Sequence, residues 1–136
     1  GLLAEALANF EGGKVVAEKL VETSPDNTEW QRDLSVSHNK IGDVLRDQGD
    51  LAGALQAFRA SHAIFERLAA DDPSHAGWQR DVIVSYAKLG GMDPGAGWWA
   101  KALAVAEEMV AKGIFAPTDA WMLDDLRKKA AEDAGK

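Results

Sequence analysis

The stretch from Trp30 to Gly42 returns from Trp78 to Gly90, 48 positions further on, with the tryptophan, the following Gln-Arg-Asp, a serine, a lysine and the closing glycine in step. The same offset aligns Leu3 with Leu51, Ala6 with Ala54, Leu7 with Leu55, Phe10 with Phe58, Leu20 with Leu68 and Pro25 with Pro73. A period of this length marks stacked supersecondary units, none of which can bury its apolar face without a neighbour. Surfaces built this way bind other molecules far more often than they catalyse.

Composition sets ordinary limits. With 136 residues, 46% of them hydrophobic, the chain is expected to form one domain with a real core. It has no cysteine, which removes disulfides and thiolate metal sites together and fits a reducing, cytoplasmic setting. Acidic side chains outnumber basic ones 22 to 15, for a formal net charge of −7. That balance argues against nucleic acid or an anionic membrane as partner and favours a basic or neutral protein or peptide. No apolar run approaches the roughly 20 residues of a bilayer span. Gly1 falls in the middle of a unit, so the chain is expected to be a fragment of a longer protein, with Gly1 a cloning remnant and any targeting signal of the parent out of view.

The periodicity is helical. Trp30, Leu34, His38, Ile41 and Leu45 lie on one stripe at the three-, four- and seven-residue spacings of an amphipathic helix. Thr28 with Gln31 reads as a capping-box start, and Pro25 stops the preceding helix. After the break at Gly49, Leu51, Ala54, Leu55, Phe58, His62, Phe65 and Ala69 trace a second stripe, which Asp71-Asp72-Pro73 ends. No window alternates with period two, so no sheet is expected.

The second unit is shorter. Aligning Ala63 to Leu68 with Ala104 to Met109 gives an offset of 41, and Gly91-Met92-Asp93-Pro94-Gly95-Ala96-Gly97 replaces the end of the first helix and the usual turn. A last helix opening at Ala116-Pro117-Thr118 carries Trp121, Leu123 and Leu126 and seals the stack with a polar outer face. The expected architecture is all-α, an α-α superhelix of about six antiparallel helices in a single domain over 1–136. Its parts are a second-helix remnant over 1–24, a full unit over 28–72, a shortened unit over 76–112 and a capping helix over 117–133.

Ile41-Gly42, Leu45, Gly49-Asp50, Ala54 and Phe58 stand in the order and spacing of the tetratricopeptide repeat, which this chain resembles over about residues 3–112. The 48-residue spacing exceeds that family's usual period of about 34 and implies helices longer by about two turns each. In this it is similar to long-helix bacterial variants carrying a recurring Trp-Gln-Arg-Asp-Leu-Ser-Val-Ser segment. His38 stands where the family has tryptophan, and Leu45 where it has its first aromatic.

The recurring residues have packing roles. Gly42 and Gly90 are placed where the two helices of a unit approach closely, Ala54 and Phe58 on the opposing helix, and Trp30 and Trp78 over the joint with the preceding helix. Arg32 and Asp33 are positioned to tie adjacent units. A reacting constellation is needed once, so residues present in every unit read as structure.

No residue carries a catalytic signature. His38 aligns with Tyr86, which makes it a half-buried filler with a polar tip. His62 aligns with Lys14 and His75 with Asn27, so both histidines are expected to be solvated. The glycine-rich segment lacks the preceding strand and the Lys-Ser/Thr of a phosphate loop and reads as a shortened turn. Of the adjacent Trp98 and Trp99, one is expected in the core and the other at a contact surface. The carboxylates at Asp43, Asp47, Asp50, Asp71, Asp72, Asp124 and Asp125 form a solvated acidic face without the spacing of a calcium loop. No enzyme, metal or cofactor is expected.

The family resemblance implies a concave groove lined by the first helix of each unit. Transferred position by position, its candidates are Val36, Asn39, Asp43, Arg46 and Asp47 in the full unit and Val84, Ala87 and Gly91 in the next. Ala87 and Gly91 cannot supply the basic and asparagine clamp by which some members hold a C-terminal carboxylate. The implied function is a protein-interaction scaffold for a peptide or partner helix. The alternative is a structural spacer or self-association module, and the sequence leaves the oligomeric state open.

Overall fold

A computed structural model describes all residues, 1–136. The fold is all-α, with no strand: α1 (Leu2–Thr23), α2 (Thr28–Asp47), α3 (Leu51–Asp71), α4 (Ala76–Met92), α5 (Trp98–Ala111), a 3-10 turn (Pro117–Asp119) and α6 (Ala120–Ala134). The chain divides into two compact units, 1–65 and 66–136. In the first, α1 packs on α2 and α2 meets α3; in the second, α4 packs on α5 and α5 on α6. Within each unit a helix thus packs on its sequence neighbour, the arrangement expected of α-α units.

Where α2 and α4 begin is set by side-chain caps. The Trp30 amide donates to Asn27 Oδ1 at 3.1 Å, and the Trp78 amide donates to His75 Nδ1 at 3.0 Å. The cap of α2 is therefore Asn27, and Thr28, expected to cap, is the first helical residue. Asn27, His75 and Asp119 each stand two residues after a proline and each precedes a helix. His75 remains exposed, as expected, but its imidazole is stacked on Trp78 with centroids 4.0 Å apart. Beside each cap the repeated glutamine holds the preceding turn: Gln31 Nε2 donates to the Pro25 carbonyl, and Gln79 Nε2 to that of Ala69 at 2.9 Å.

Gly49, at φ +84°, ends α2 in the left-handed region that glycine adopts without steric cost, and the Asp50 amide closes the turn on the Leu45 carbonyl at 2.8 Å. Asp50 then accepts from the Gly53 amide at 2.9 Å, so the residue that closes one helix caps the next.

The two repeated glycines sit under aromatic rings. A Cβ on Gly42 would lie 2.5 Å from Phe58 Cε1, and one on Gly90 2.6 Å from Trp99 Cε2. Phe58 and Trp99 are 41 positions apart, so the offset found for the shortened unit also holds at its glycine contact. The first unit's core gathers Ile41, Val44, Ala54, Phe58 and Phe65; the second's is built from Ile83, Ala102, Ala106, Met109, Met122 and Leu126.

Two further sequence expectations change. His62 is 7% exposed, because it shares α3's core stripe with Phe58 and Phe65 and follows that stripe rather than its counterpart Lys14. Trp98 and Trp99 are both half-buried, so neither is the free member of the pair. The outward indole is instead Trp121, 62% exposed, because the buried stripe of α6 runs through its neighbours Met122 and Leu126.

Candidate functional site

The α2 helix presents two opposite faces, because residues two apart on a helix point about 200° apart. Val36, Asp43 and Asp47 lie on one face, and His38, Ile41 and Leu45, each two residues away, lie on the other.

The first face holds the five groove candidates of the first unit. Val36, Asn39 and Asp43 are half-buried, and Arg46 and Asp47 are exposed. Arg46 lies 3.5 Å from Asp43 and 3.7 Å from Asp47, with its guanidinium carbon 6.0 Å from the Phe58 ring centroid. Arg46 thus faces both carboxylates of the patch. Asn39 Oδ1 is buried and accepts no hydrogen bond. Such an acceptor has lost its water without gaining a donor, a cost of about 1–3 kcal/mol that a ligand N–H would relieve. In the second unit Val84 and Ala87 are half-buried on α4 and Gly91 is exposed. These three bring neither charge nor a side-chain hydrogen-bonding group, so that unit offers no carboxylate clamp.

The opposite face of α2 lines a cavity of about 260 Å³. His38, Ile41 and Leu45 form its floor, Glu11 and Lys14 of α1 one wall, and Ala57 and Ala60 of α3 the other. Burial, reinforced by Lys14, holds the His38 imidazole below its ordinary pKa, against the weaker pull of Glu18 and Glu11. The ring is neutral at pH 7. Lys14 and Glu11, one turn apart on α1, pair at 3.5 Å along the rim. Sequence reasoning passed over this site because alanines carry no signal of their own.

The second unit contains a latch. Asp133, 8% exposed near the end of α6, accepts from the backbone N–H of Gly95 at 2.6 Å and of Gly97 at 3.3 Å. The glycine-rich segment is thus a turn, as expected, and its amides are satisfied by the chain's own carboxylate. A smaller cavity of about 220 Å³ lies beside the latch, bounded by Gly91, Trp99 and Lys129. The Lys129 ammonium sits 4.7 Å from the Trp99 ring centroid. Nothing in the local sequence pointed to Asp133, whose partners are 36 and 38 residues away.

The repeated arginine also finds its role here. Arg80 donates through Nε to Asp119 at 3.0 Å and through Nη2 at 3.3 Å, joining α4 to the turn that opens α6. That hydrogen bond to Asp119 raises the guanidinium pKa above its ordinary value, against a small opposing effect of burial.

No group of three or more His, Asp or Glu side chains is placed to hold a metal, and no helix is long and apolar enough to cross a membrane. Neither a protein-family model nor any curated protein matches the chain.

Proposed function

We propose that this chain is a protein-interaction scaffold of tetratricopeptide-repeat type, a bacterial cytoplasmic module rather than an enzyme. The Val36, Asn39 and Asp43 face of α2 receives an extended peptide or a helix. The observation that carries this reading is the buried, unsatisfied Asn39 Oδ1 beside half-buried Asp43. A backbone or side-chain N–H satisfies the amide oxygen, Val36 offers apolar contact, and the exposed Asp47 carboxylate favours a cationic partner. The net charge of −7 works in the same direction at longer range.

Isothermal titration against lysine- and arginine-rich peptides, with glutamate-rich peptides of equal length as the control, tests it. Basic peptides are expected to bind selectively, and Asn39→Ala to weaken them by about 1–3 kcal/mol. Equal binding by both peptide classes, or an unchanged affinity in Asn39→Ala, would overturn it. Trp121, 62% exposed, is the observation that favours self-association instead. Light scattering separates the two readings: concentration-dependent growth that Trp121→Ala abolishes supports the second.

A further inference from the structure

The cavity on the far side of α2 has a counterpart in the second unit, and there the space is filled. The 48-residue offset places His38 against Tyr86, as it places Gly42 against Gly90. The 41-residue offset places Ala57 against Trp98 and Ala60 against Lys101, beside the matched pair Phe58 and Trp99. In the second unit the Trp98 indole stacks on Tyr86 with centroids 6.0 Å apart and an interplanar angle of 29°. The Lys101 ammonium covers the indole face at 4.9 Å, and the Trp98 indole N–H donates to Asp93 at 3.2 Å. The first unit has the ring that does the stacking, His38, but an alanine where the stacked ring belongs.

We propose that the cavity of the first unit binds a planar aromatic ring of about indole size, seated on His38 between the α1 wall and Ala57. Its volume of about 260 Å³ falls just below the range of about 300–1,000 Å³ typical of drug-sized ligands and suits a single fused ring. The floor of Ile41 and Leu45 supplies apolar contact, and Lys14, on the α1 wall, brings a cation to the same opening. Neutral His38 stacks without a buried charge to desolvate. The site is independent of the peptide face, which lies on the other side of the same helix.

NMR titration of the 136-residue protein with indole and with N-acetyl-tryptophanamide reads the site directly. Both probes are expected to move the His38 ring protons upfield and to saturate in the millimolar range. Comparable binding of the amide assigns the site to an aromatic side chain of a partner, and binding of indole alone assigns it to a free ring. Ala57→Trp is expected to abolish binding of both probes, to raise the thermal midpoint and to shift the His38 protons upfield with no ligand present. If that variant does not fold, Ala60→Leu narrows the same opening and is expected to weaken indole by about tenfold. Unmoved His38 resonances in the wild type, or undiminished indole binding in the variant that folds, would overturn the proposal. Loss of ring binding leaves basic-peptide binding unchanged, so the two readings fail separately.

Discussion

Gly42 and Gly12 are both helical glycines, yet replacing them has opposite consequences. A methyl on Gly42 would collide with the fully buried Phe58 ring, whereas one on Gly12 or Gly13 meets nothing within 4 Å. Gly42→Ala is therefore expected to destabilise by about 1–3 kcal/mol through overpacking. Gly12→Ala is expected to stabilise by about 0.5–1 kcal/mol by removing backbone freedom from the unfolded chain. Urea midpoints of the two variants check both signs. His38 supplies a pH test. Burial and Lys14 depress its folded pKa below the unfolded value of 6.5, so the unfolded chain binds the proton more readily. The stability associated with neutral His38 is full above that unfolded value and is lost as the pH falls through the depressed folded one. His38→Gln is expected to flatten this part of the stability profile, and an unchanged slope on chemical denaturation at stepped pH would refute it. The close approach at Gly42 was legible in the sequence because a packing constraint recurs with the repeat. The burial of His62 was not, because its aligned partner Lys14 lies on a different helix with different neighbours.

At the level of elements, helix periods and stops were readable because both are local. Apolar residues recur with the helical turn, Pro25 and Pro73 exclude continuation, and Gly49 supplies the positive φ that closes α2. The caps were harder to read. Thr28 and Asn27 are adjacent cap-forming residues, and only the alignment of Asn27 with His75 could have told them apart. The start of α5 lay beyond local reading, since Gly97 offers no side-chain cap and the needed acceptor, Asp133, comes from α6. Asp133→Ala is expected to strand the Gly95 and Gly97 amides and cost about 1–3 kcal/mol. Faster hydrogen exchange from Gly95 through Lys101, with α2 unaffected, is the measurement that checks it.

For the whole molecule, an acidic surface makes ionic strength the natural probe. Exposed charges act over about 10 Å in 0.1 M salt and about 3 Å in 1 M. Affinity for basic peptides is accordingly expected to fall steadily as salt rises, while the ring site, which relies on stacking and apolar contact, changes little. Titrations of both ligands across that range check the contrast. By itself the amino-acid sequence determined that this protein is a series of amphipathic helices, where the prolines and Gly49 stop them, and that Gly42 and Gly90 stand where two helices approach closely. Those properties follow from chain-local steric limits and from a pattern repeated along the chain. Only the tertiary structure decided that one unit closes over its own Trp98 while the other leaves a cavity beside Ala57, and that Asp133 is buried to hold a distant turn. A side chain's surroundings depend on which helix arrives opposite it, and distance along the chain does not encode that.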